Sequence, residues 1–102
     1  MSDRRKGPRH TVDLLANRYN RGAARPIRVT ELSDGGLRVD DPGPLVPRGL
    51  VSIELDLPGD RPVWMFCRAV RHAEGKTGLV VVGMDSRDEA AFASYLSSLP
   101  TC

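Results

Sequence analysis

The stretch LVSIELDL, residues 50–57, gives the clearest indication of the fold. Apolar side chains occupy every second position from 51 onward, and they are Val51, Ile53, Leu55 and Leu57. Polar side chains occupy the positions between them. An alternation with a period of two is typical of a β-strand that buries one face and exposes the other to water. This stretch therefore predicts a strand at the surface of an antiparallel sheet.

Five further strands are predicted on either side of this one, at residues 11–19, 25–32, 37–39, 63–72 and 77–84. The stretch 63–72 differs from the others because both sets of alternate positions are apolar. One set is Trp64, Phe66 and Val70, and the other is Met65, Cys67 and Ala69. This pattern predicts a strand that is buried on both faces, one of them under a helix.

The last segment of the chain changes from a period of two to a helical period. Phe92, Leu96 and Leu99 recur at spacings of four and three, which is typical of an amphipathic helix. Ser86, with a glutamate three positions later, fits the N-cap of a capping box. A helix is therefore predicted over residues 86–99.

Six short strands joined mainly by short turns favour antiparallel pairing. A chain of 102 residues suits a single domain with one core, and closure into a barrel would remove the exposed edges of the sheet. Ten glycines and eight prolines also favour a turn-rich protein. We predict a mainly all-β domain: a six-stranded antiparallel β-barrel over residues 11–85 with a C-terminal α-helix over 86–99, preceded by a flexible basic arm over residues 1–10.

Basic residues are concentrated at the N-terminal end of the chain. Residues 1–28 contain eight Arg and Lys against two Asp, a local charge of +6, whereas the whole chain carries +2. An asymmetry of this size indicates an anionic partner. A membrane span is not expected, because no apolar run approaches the roughly 18 residues needed to cross a bilayer. The charged N-terminus also differs from a secretory signal peptide.

The residue types needed for catalysis do not occur in a recognisable pattern. The two histidines, His10 and His72, have neither metal-ligand nor triad spacing, and the sequence contains no glycine-rich phosphate loop. Cys67 lies among apolar residues of a predicted strand and is expected in the core. Two cysteines without metal spacing indicate a reduced, cytoplasmic setting. These observations predict a binding module that is not an enzyme and needs no metal or cofactor.

Two short segments contain the candidate binding residues. In the arm, Arg5 and Arg9 stand four residues apart, and a glycine and a proline between them keep the segment out of a helix. In ELSDGG, residues 31–36, Glu31 and Ser33 share one face of a strand just before a turn whose glycines are expected to adopt positive φ. Arginines folded over an anion, with polar groups on the barrel below, would form one site.

Together these segments resemble the motifs of the PilZ domain, a bacterial receptor module for cyclic di-GMP. The RxxxR motif of that family corresponds to RKGPR at residues 5–9, with Arg4 completing a frequent RR start. Its (D/N)xSxxG motif is similar to ELSDGG at residues 31–36. The resemblance extends over the proline-rich loop that leads to Gly49, the turn DLPG at residues 56–59 and the final helix. It therefore covers nearly the whole chain.

The resemblance implies a cyclic di-GMP site on a PilZ fold. Its ligand-binding residues would be Arg4, Arg5, Arg9, Glu31, Ser33 and Gly36. In the family, the two arginines of the motif bind guanine edges and phosphates, the serine hydrogen-bonds the ligand, and the last glycine lets the backbone approach closely. Asp34 and Gly35 would shape the turn, and Arg38 on the following strand is a further candidate contact.

Two positions depart from the family pattern. Glu31 stands where the family has Asp or Asn, and its side chain is one methylene longer, so a hydrogen bond to a guanine edge must change its geometry. Val81 stands at an aromatic position of a later strand.

Three functions are compared on this basis. The first is a cyclic di-GMP receptor whose arm is loose without ligand, closes over it and signals to an unidentified effector protein. The second is a degenerate PilZ adaptor that binds a protein partner without nucleotide, which the glutamate at position 31 favours. The third is a barrel that binds single-stranded nucleic acid. It is not expected, because such barrels need aromatic platforms on a strand face and the chain has only one Trp, two Tyr and two Phe.

Overall fold

The computed structural model describes residues 9–20, 23–40, 49–59 and 61–99. They form β1 His10–Asn20, β2 Ala23–Ser33, β3 Gly36–Asp40, β4 Leu50–Leu55, β5 Val63–Ala73, β6 Lys76–Met84 and α1 Ser86–Ser98. The number, order and type of the predicted elements are confirmed, and the strand boundaries differ by one or two residues. The proline-rich loop, at residues 41–48, lies outside the described residues.

The six strands form a closed barrel in the order β1-β2-β3-β6-β5-β4, and all neighbouring strands are antiparallel. Four of the pairings join strands that are consecutive in the chain. The other two join distant segments, β3 with β6 and β1 with β4. Ala16 lies opposite Leu55 and Tyr19 opposite Ser52 in the β1–β4 pairing. This pairing closes the barrel and confirms the predicted fold class.

Inward-facing side chains from all six strands fill the barrel. The strand residues with no measurable exposure are Val29, Leu32, Val39, Ile53, Leu55, Val63, Thr77 and Cys67. From α1, Phe92 is buried in the same core, and Tyr95, Leu96 and Leu99 pack against it. The period of two that buries these residues also places their polar neighbours on the outer wall of the barrel.

The helix has a different N-cap from the one predicted. Asp85 is the N-cap: its backbone is extended, and its carbonyl accepts a hydrogen bond from the N–H of Glu89 at 2.8 Å. Ser86 is the first residue of the helix instead. The prediction of a Ser86 cap is wrong because Ser86 already belongs to the helix, and the N-cap is the residue before it, which alone separates β6 from α1.

Strand β5 is buried on one face only, so the prediction of burial on both faces is wrong. Met65 points inward and is 2% exposed, whereas its neighbours Trp64 and Phe66 are 43% and 58% exposed. A closed barrel has one interior, and α1 leaves this part of the outer wall uncovered. The apolar residues on the outer face of β5 are therefore a surface feature that the sequence pattern did not predict.

Candidate functional site

A cleft on the outer wall of the barrel contains residues from both candidate segments. Its volume is about 160 Å³. The residues that line it are Arg9, Glu31, Leu32, Ser33, Gly36, Leu37, Arg38, Val70, Gly78 and Leu79. We call it the arginine cleft. Four of the predicted site residues, Arg9, Glu31, Ser33 and Gly36, are thus brought together, although 22 residues separate the first two in the chain.

The carboxylate of Glu31 lies between two guanidinium groups. Its Oε1 is 3.5 Å from Nη1 of Arg9, and its Oε2 is 3.6 Å from Nη1 of Arg38. Glu31 and Arg38 are direct partners in the β2–β3 pairing, which brings their side chains to the same side of the sheet. Because all three groups are part-exposed and the distances exceed those of a normal hydrogen bond, the ion pairs are weak. Another anion can therefore compete with Glu31 for both arginines.

The hydroxyl of Ser33 closes the turn between β2 and β3. It donates a hydrogen bond to the carbonyl of Gly36 at 3.2 Å. The donor of this hydroxyl is therefore engaged, while its oxygen can still accept. Ser33 orients the turn on the floor of the cleft and leaves an acceptor there.

Gly36 is required by the close approach of two strands. A Cβ atom at this position would lie 2.5 Å from the carbonyl oxygen of Leu79 on β6. The neighbouring Gly35 accepts a hydrogen bond from the N–H of Val81 at 2.9 Å, which draws β6 against the turn. Neither glycine has a positive φ, so the expectation of a left-handed glycine turn is wrong. The glycine at 36 makes room for β6.

Five residues that line the cleft were not predicted as site residues, and they include Val70 on β5 and Gly78 on β6. Gly78 lies opposite Arg38 in one pairing and opposite Arg71 in the other. Because Gly78 has no side chain, only its backbone lies between the two arginines. A glycine inside a strand often marks such a place, and this is the signal that could have identified it.

A second cleft of about 210 Å³ continues from the first across Gly78. Its lining is Arg38, Arg71, Glu74, Lys76 and Gly78. Arg38 and Gly78 belong to both clefts. The outer wall around the candidate site therefore carries three further cationic side chains besides Arg9, which favours an anionic ligand.

The remaining predicted residues fall in three places. Arg4 and Arg5 lie outside the described residues. His10, predicted within the arm, is the first residue of β1 and is buried. Cys67 is in the core as predicted, and burial raises the pKa of its thiol to about 12. A thiol that stays protonated is a poor nucleophile, so Cys67 takes no part in the site.

Comparison with known protein families gives a match over almost the whole chain. The family model described as the PilZ domain matches residues 3–98 of the chain. No curated protein sequence matches it. Within the part of the chain that the structure describes, no helix has the length and apolar character needed to cross a membrane.

Several solved structures share the fold, and three of them illustrate the likeness. The Bacillus subtilis inhibitor of motility MotI/DgrA is 17% identical, with a TM-score of 0.79 over 92% of this chain and 50% of that chain. The PilZ domain of YcgR from Escherichia coli, solved with c-di-GMP, is 12% identical, with a TM-score of 0.76 over 95% and 92%. The Borreliella burgdorferi PlzA protein, in complex with c-di-GMP, is 13% identical, with a TM-score of 0.66 over 91% and 41%.

The chain thus spans about half the length of MotI/DgrA and nearly all of the YcgR domain. At these identities the likeness establishes the fold.

Proposed function

Because the chain belongs to the PilZ domain family, we propose that it is a receptor for cyclic di-GMP. The observation that carries the proposal is the arginine cleft, where Arg9 of the first motif meets Glu31, Ser33 and Gly36 of the second. Two proteins with the same fold, the YcgR domain and PlzA, were solved with c-di-GMP. Their likeness supports the choice of ligand.

The chemistry of the cleft suits a cyclic dinucleotide. A guanidinium presents a planar fork of donors that pairs with a phosphate or with the O6 and N7 acceptors of guanine. Arg9 and Arg38 provide two such groups, and Glu31 between them provides an acceptor for the N–H donors of a guanine edge. The cleft therefore offers complementary groups to both the phosphate and the base of the ligand.

Binding begins, in this proposal, with an exchange of anions. The ligand phosphate replaces Glu31 as the partner of Arg9 and Arg38, whose present ion pairs of 3.5 and 3.6 Å are weak. The released carboxylate is then available to the base. Arg4 and Arg5 would add further contacts from the preceding segment. Closing that segment over the ligand costs roughly 1–2 kcal/mol of conformational entropy per residue, which the charge-assisted contacts must exceed.

A receptor of this kind signals by changing its binding to an effector protein when the ligand is bound. The residues found in the cleft bind and orient a ligand and include no nucleophile paired with a base. We therefore propose a non-enzymatic cytoplasmic receptor that signals to an effector protein when the ligand is bound.

Calorimetric titration with cyclic di-GMP, with GTP as the control nucleotide, tests the proposal. We expect saturable binding with a Kd of about 1 μM or tighter. Arg9→Ala should weaken binding about 100-fold or more while the circular dichroism spectrum stays unchanged, because it removes two charge-assisted hydrogen bonds of roughly 1.5–3 kcal/mol each. Arg87→Ala, at an exposed position of α1, is the matched control and should bind normally. Retained affinity in Arg9→Ala would remove Arg9 from the site.

The second candidate function is a PilZ adaptor that binds a protein partner and no nucleotide. Glu31 favours it, because its carboxylate already occupies both described arginines of the cleft. This function predicts a flat titration with folded wild-type protein. Glu31→Asp, which shortens the side chain to the length found in the family, should then create measurable binding. An equally flat titration for Glu31→Asp would count against the role given to this position.

A further inference from the structure

A separate concave site lies on the outer wall of β4 and β5, beside the start of α1. Its volume is about 140 Å³. Its main walls are Trp64, Phe66 and Met84, and two carboxylates, Asp85 and Asp88, lie at one side. We call it the aromatic notch. None of these five residues lines the arginine cleft, so the notch needs an explanation of its own.

The largest wall of the notch is held in place. The ring of Trp64 stacks on that of Tyr19, with centroids 5.0 Å apart and planes tilted by 38°. The hydroxyl of Tyr19 donates a hydrogen bond to Oε1 of Glu54 at 3.0 Å, and this bond, with burial and the carboxylate charge, raises the pKa of Tyr19. Trp64 is nevertheless 43% exposed. It is a fixed aromatic surface open to solvent, which is the arrangement found in binding sites.

The two carboxylates of the notch have different surroundings. Asp88 is buried: its Oδ1 is 2.8 Å from Nη1 of Arg61, and its Oδ2 accepts a hydrogen bond from the backbone N–H of Trp64 at 3.2 Å. Asp85 is exposed, and it caps α1 through its backbone without a side-chain hydrogen bond to the helix. The carboxylate of Asp85 can therefore pair with a cation that enters the notch.

The charges on this face are unevenly placed. Glu54 and Asp85 lie at the Trp64 end of the notch, where Glu54 is the direct partner of Trp64 in the β4–β5 pairing. Arg68 lies beyond Phe66 on the same face of β5, opposite Val80. A cationic side chain is therefore attracted to the Trp64 end and repelled from the Arg68 end.

We propose that the aromatic notch is the docking site for a partner protein segment that presents an arginine or lysine between apolar side chains. The cation lies over the ring faces of Trp64 and Phe66, and the carboxylate of Asp85 pairs with it. The apolar neighbours of the cation cover Phe66 and the exposed Val82 on β6. Large apolar side chains grouped on an otherwise polar surface mark this kind of interface.

The proposal is independent of nucleotide binding, because it uses no residue of the arginine cleft. It can therefore hold whether the protein is a receptor or an adaptor. It also gives the effector a place to bind that leaves the cleft open.

The single tryptophan of the chain reports directly on the notch. The probe is a soluble seven-residue peptide with a central arginine between two leucines, compared with versions that carry citrulline or glutamate at the centre. Titration of the full chain should shift the emission of Trp64 saturably with the arginine peptide. We expect the uncharged citrulline peptide to bind about five-fold more weakly than the arginine peptide. The glutamate peptide should bind at least about ten-fold more weakly.

Three variants of the protein complete the test. Phe66→Ser removes a ring face at an exposed position, and Asp85→Asn removes the charge but keeps a residue type that N-caps well. Both variants should bind the arginine peptide more weakly than the wild type, the first by about five-fold and the second by about two- to five-fold. Glu74→Gln, in the turn at the opposite end of β5, should leave the binding of the arginine peptide unchanged.

Several outcomes would overturn the proposal. One is equal binding of the arginine and glutamate peptides, and another is no saturable shift of Trp64 emission up to about 5 mM peptide. A third is normal binding by both Phe66→Ser and Asp85→Asn. Concentration-dependent self-association of the wild type that Phe66→Ser abolishes would assign the notch to a second copy of the chain.

Discussion

The arginine cleft and the aromatic notch lie on the outer wall of the same barrel, but they are built in different ways. The cleft is made of charged groups that pair weakly with one another, with Glu31 between Arg9 and Arg38. The notch is made of rings, with Trp64 fixed against Tyr19. The cleft can therefore exchange its internal ion pairs for a ligand, whereas the notch offers an apolar surface that is already in position.

This difference determines what a sequence can reveal. The cleft depends on residue types that are uncommon within strands, such as the glycine at position 36, which leaves room for β6. The notch depends on ordinary strand residues, and only the side of the sheet on which they lie makes them a site. Pairs of substitutions at neighbouring positions can test this difference at the notch and at the cleft.

The largest effect is expected at Met65, which separates Trp64 from Phe66. Met65→Ala removes a side chain that is 2% exposed and should lower the free energy of unfolding by about 3–4 kcal/mol, because it leaves a cavity in the core. Phe66→Ala, at the next position and 58% exposed, should cost less than about 1 kcal/mol. Urea denaturation measures both. A larger cost for Phe66→Ala than for Met65→Ala would mean that the notch is part of the core.

The next effect concerns the turn below the cleft. Gly36→Ala places a Cβ atom 2.5 Å from the carbonyl oxygen of Leu79 and should cost about 2–3 kcal/mol, since β3 and β6 must move apart. Gly35→Ala is the matched control: its Cβ would have no atom within 4 Å, and we expect a change within about 0.5 kcal/mol. Thermal unfolding compares the two. Similar melting temperatures would show that β6 can move away without cost.

A smaller effect should distinguish the two carboxylates of the notch. Asp88→Asn breaks the charge-assisted bond to Arg61, which is half-exposed, and should cost about 1.5 kcal/mol. Asp85→Asn should cost less than about 0.5 kcal/mol, because the side chain of Asp85 makes no hydrogen bond to the helix. Chemical denaturation near neutral pH provides the measurement. The reverse order would assign the structural role to Asp85.

The smallest effect appears only at high pH. Burial raises the pKa of Cys67 from an ordinary value of about 9 to about 12, so above pH 9 the thiol ionises in the unfolded chain while it stays protonated in the folded one. The unfolded state is thereby favoured, and the free energy of unfolding should fall by about 1.4 kcal/mol at pH 10 relative to pH 8. Below about pH 8 this group contributes almost no pH dependence.

Cys67→Ala provides the control for this prediction, because it removes the thiol and leaves every other titrating group. The wild type should lose more stability than the variant between pH 8 and pH 10. Parallel pH profiles would mean that Cys67 is less deeply buried than the structure has it.

The fold and half of the site could be predicted from the sequence. Alternation in stretches such as residues 50–57 is a local property, and it identified six strands and one helix. The two motifs identified Arg9, Glu31, Ser33 and Gly36, which line one cleft. Local patterns were sufficient to identify these residues, because the residues of each motif are close together in the chain or lie within or next to predicted strands.

The remaining features depend on the three-dimensional arrangement of the strands and the helix. Val70 and Gly78 join the cleft only because β6 pairs with β3 and β5, and no local pattern specifies these pairings. The sequence predicts burial of the outer apolar face of β5, because it does not show that Trp64 and Phe66 stay exposed where β5 runs beside the start of α1. The N-cap is Asp85 and not Ser86 because the helix includes Ser86 as its first residue, and the capping-box pattern alone does not fix which residue begins the helix.

The β1–β4 pairing that closes the barrel also has a consequence for folding. Asn17 and Glu54, which meet across this pairing, are 37 positions apart in the chain, and contacts of such separation form slowly because a large loop must first close. Strand β1 positions Tyr19 under the notch and follows directly after Arg9 of the cleft. An incompletely closed barrel therefore presents neither the arginine cleft nor the aromatic notch in finished form.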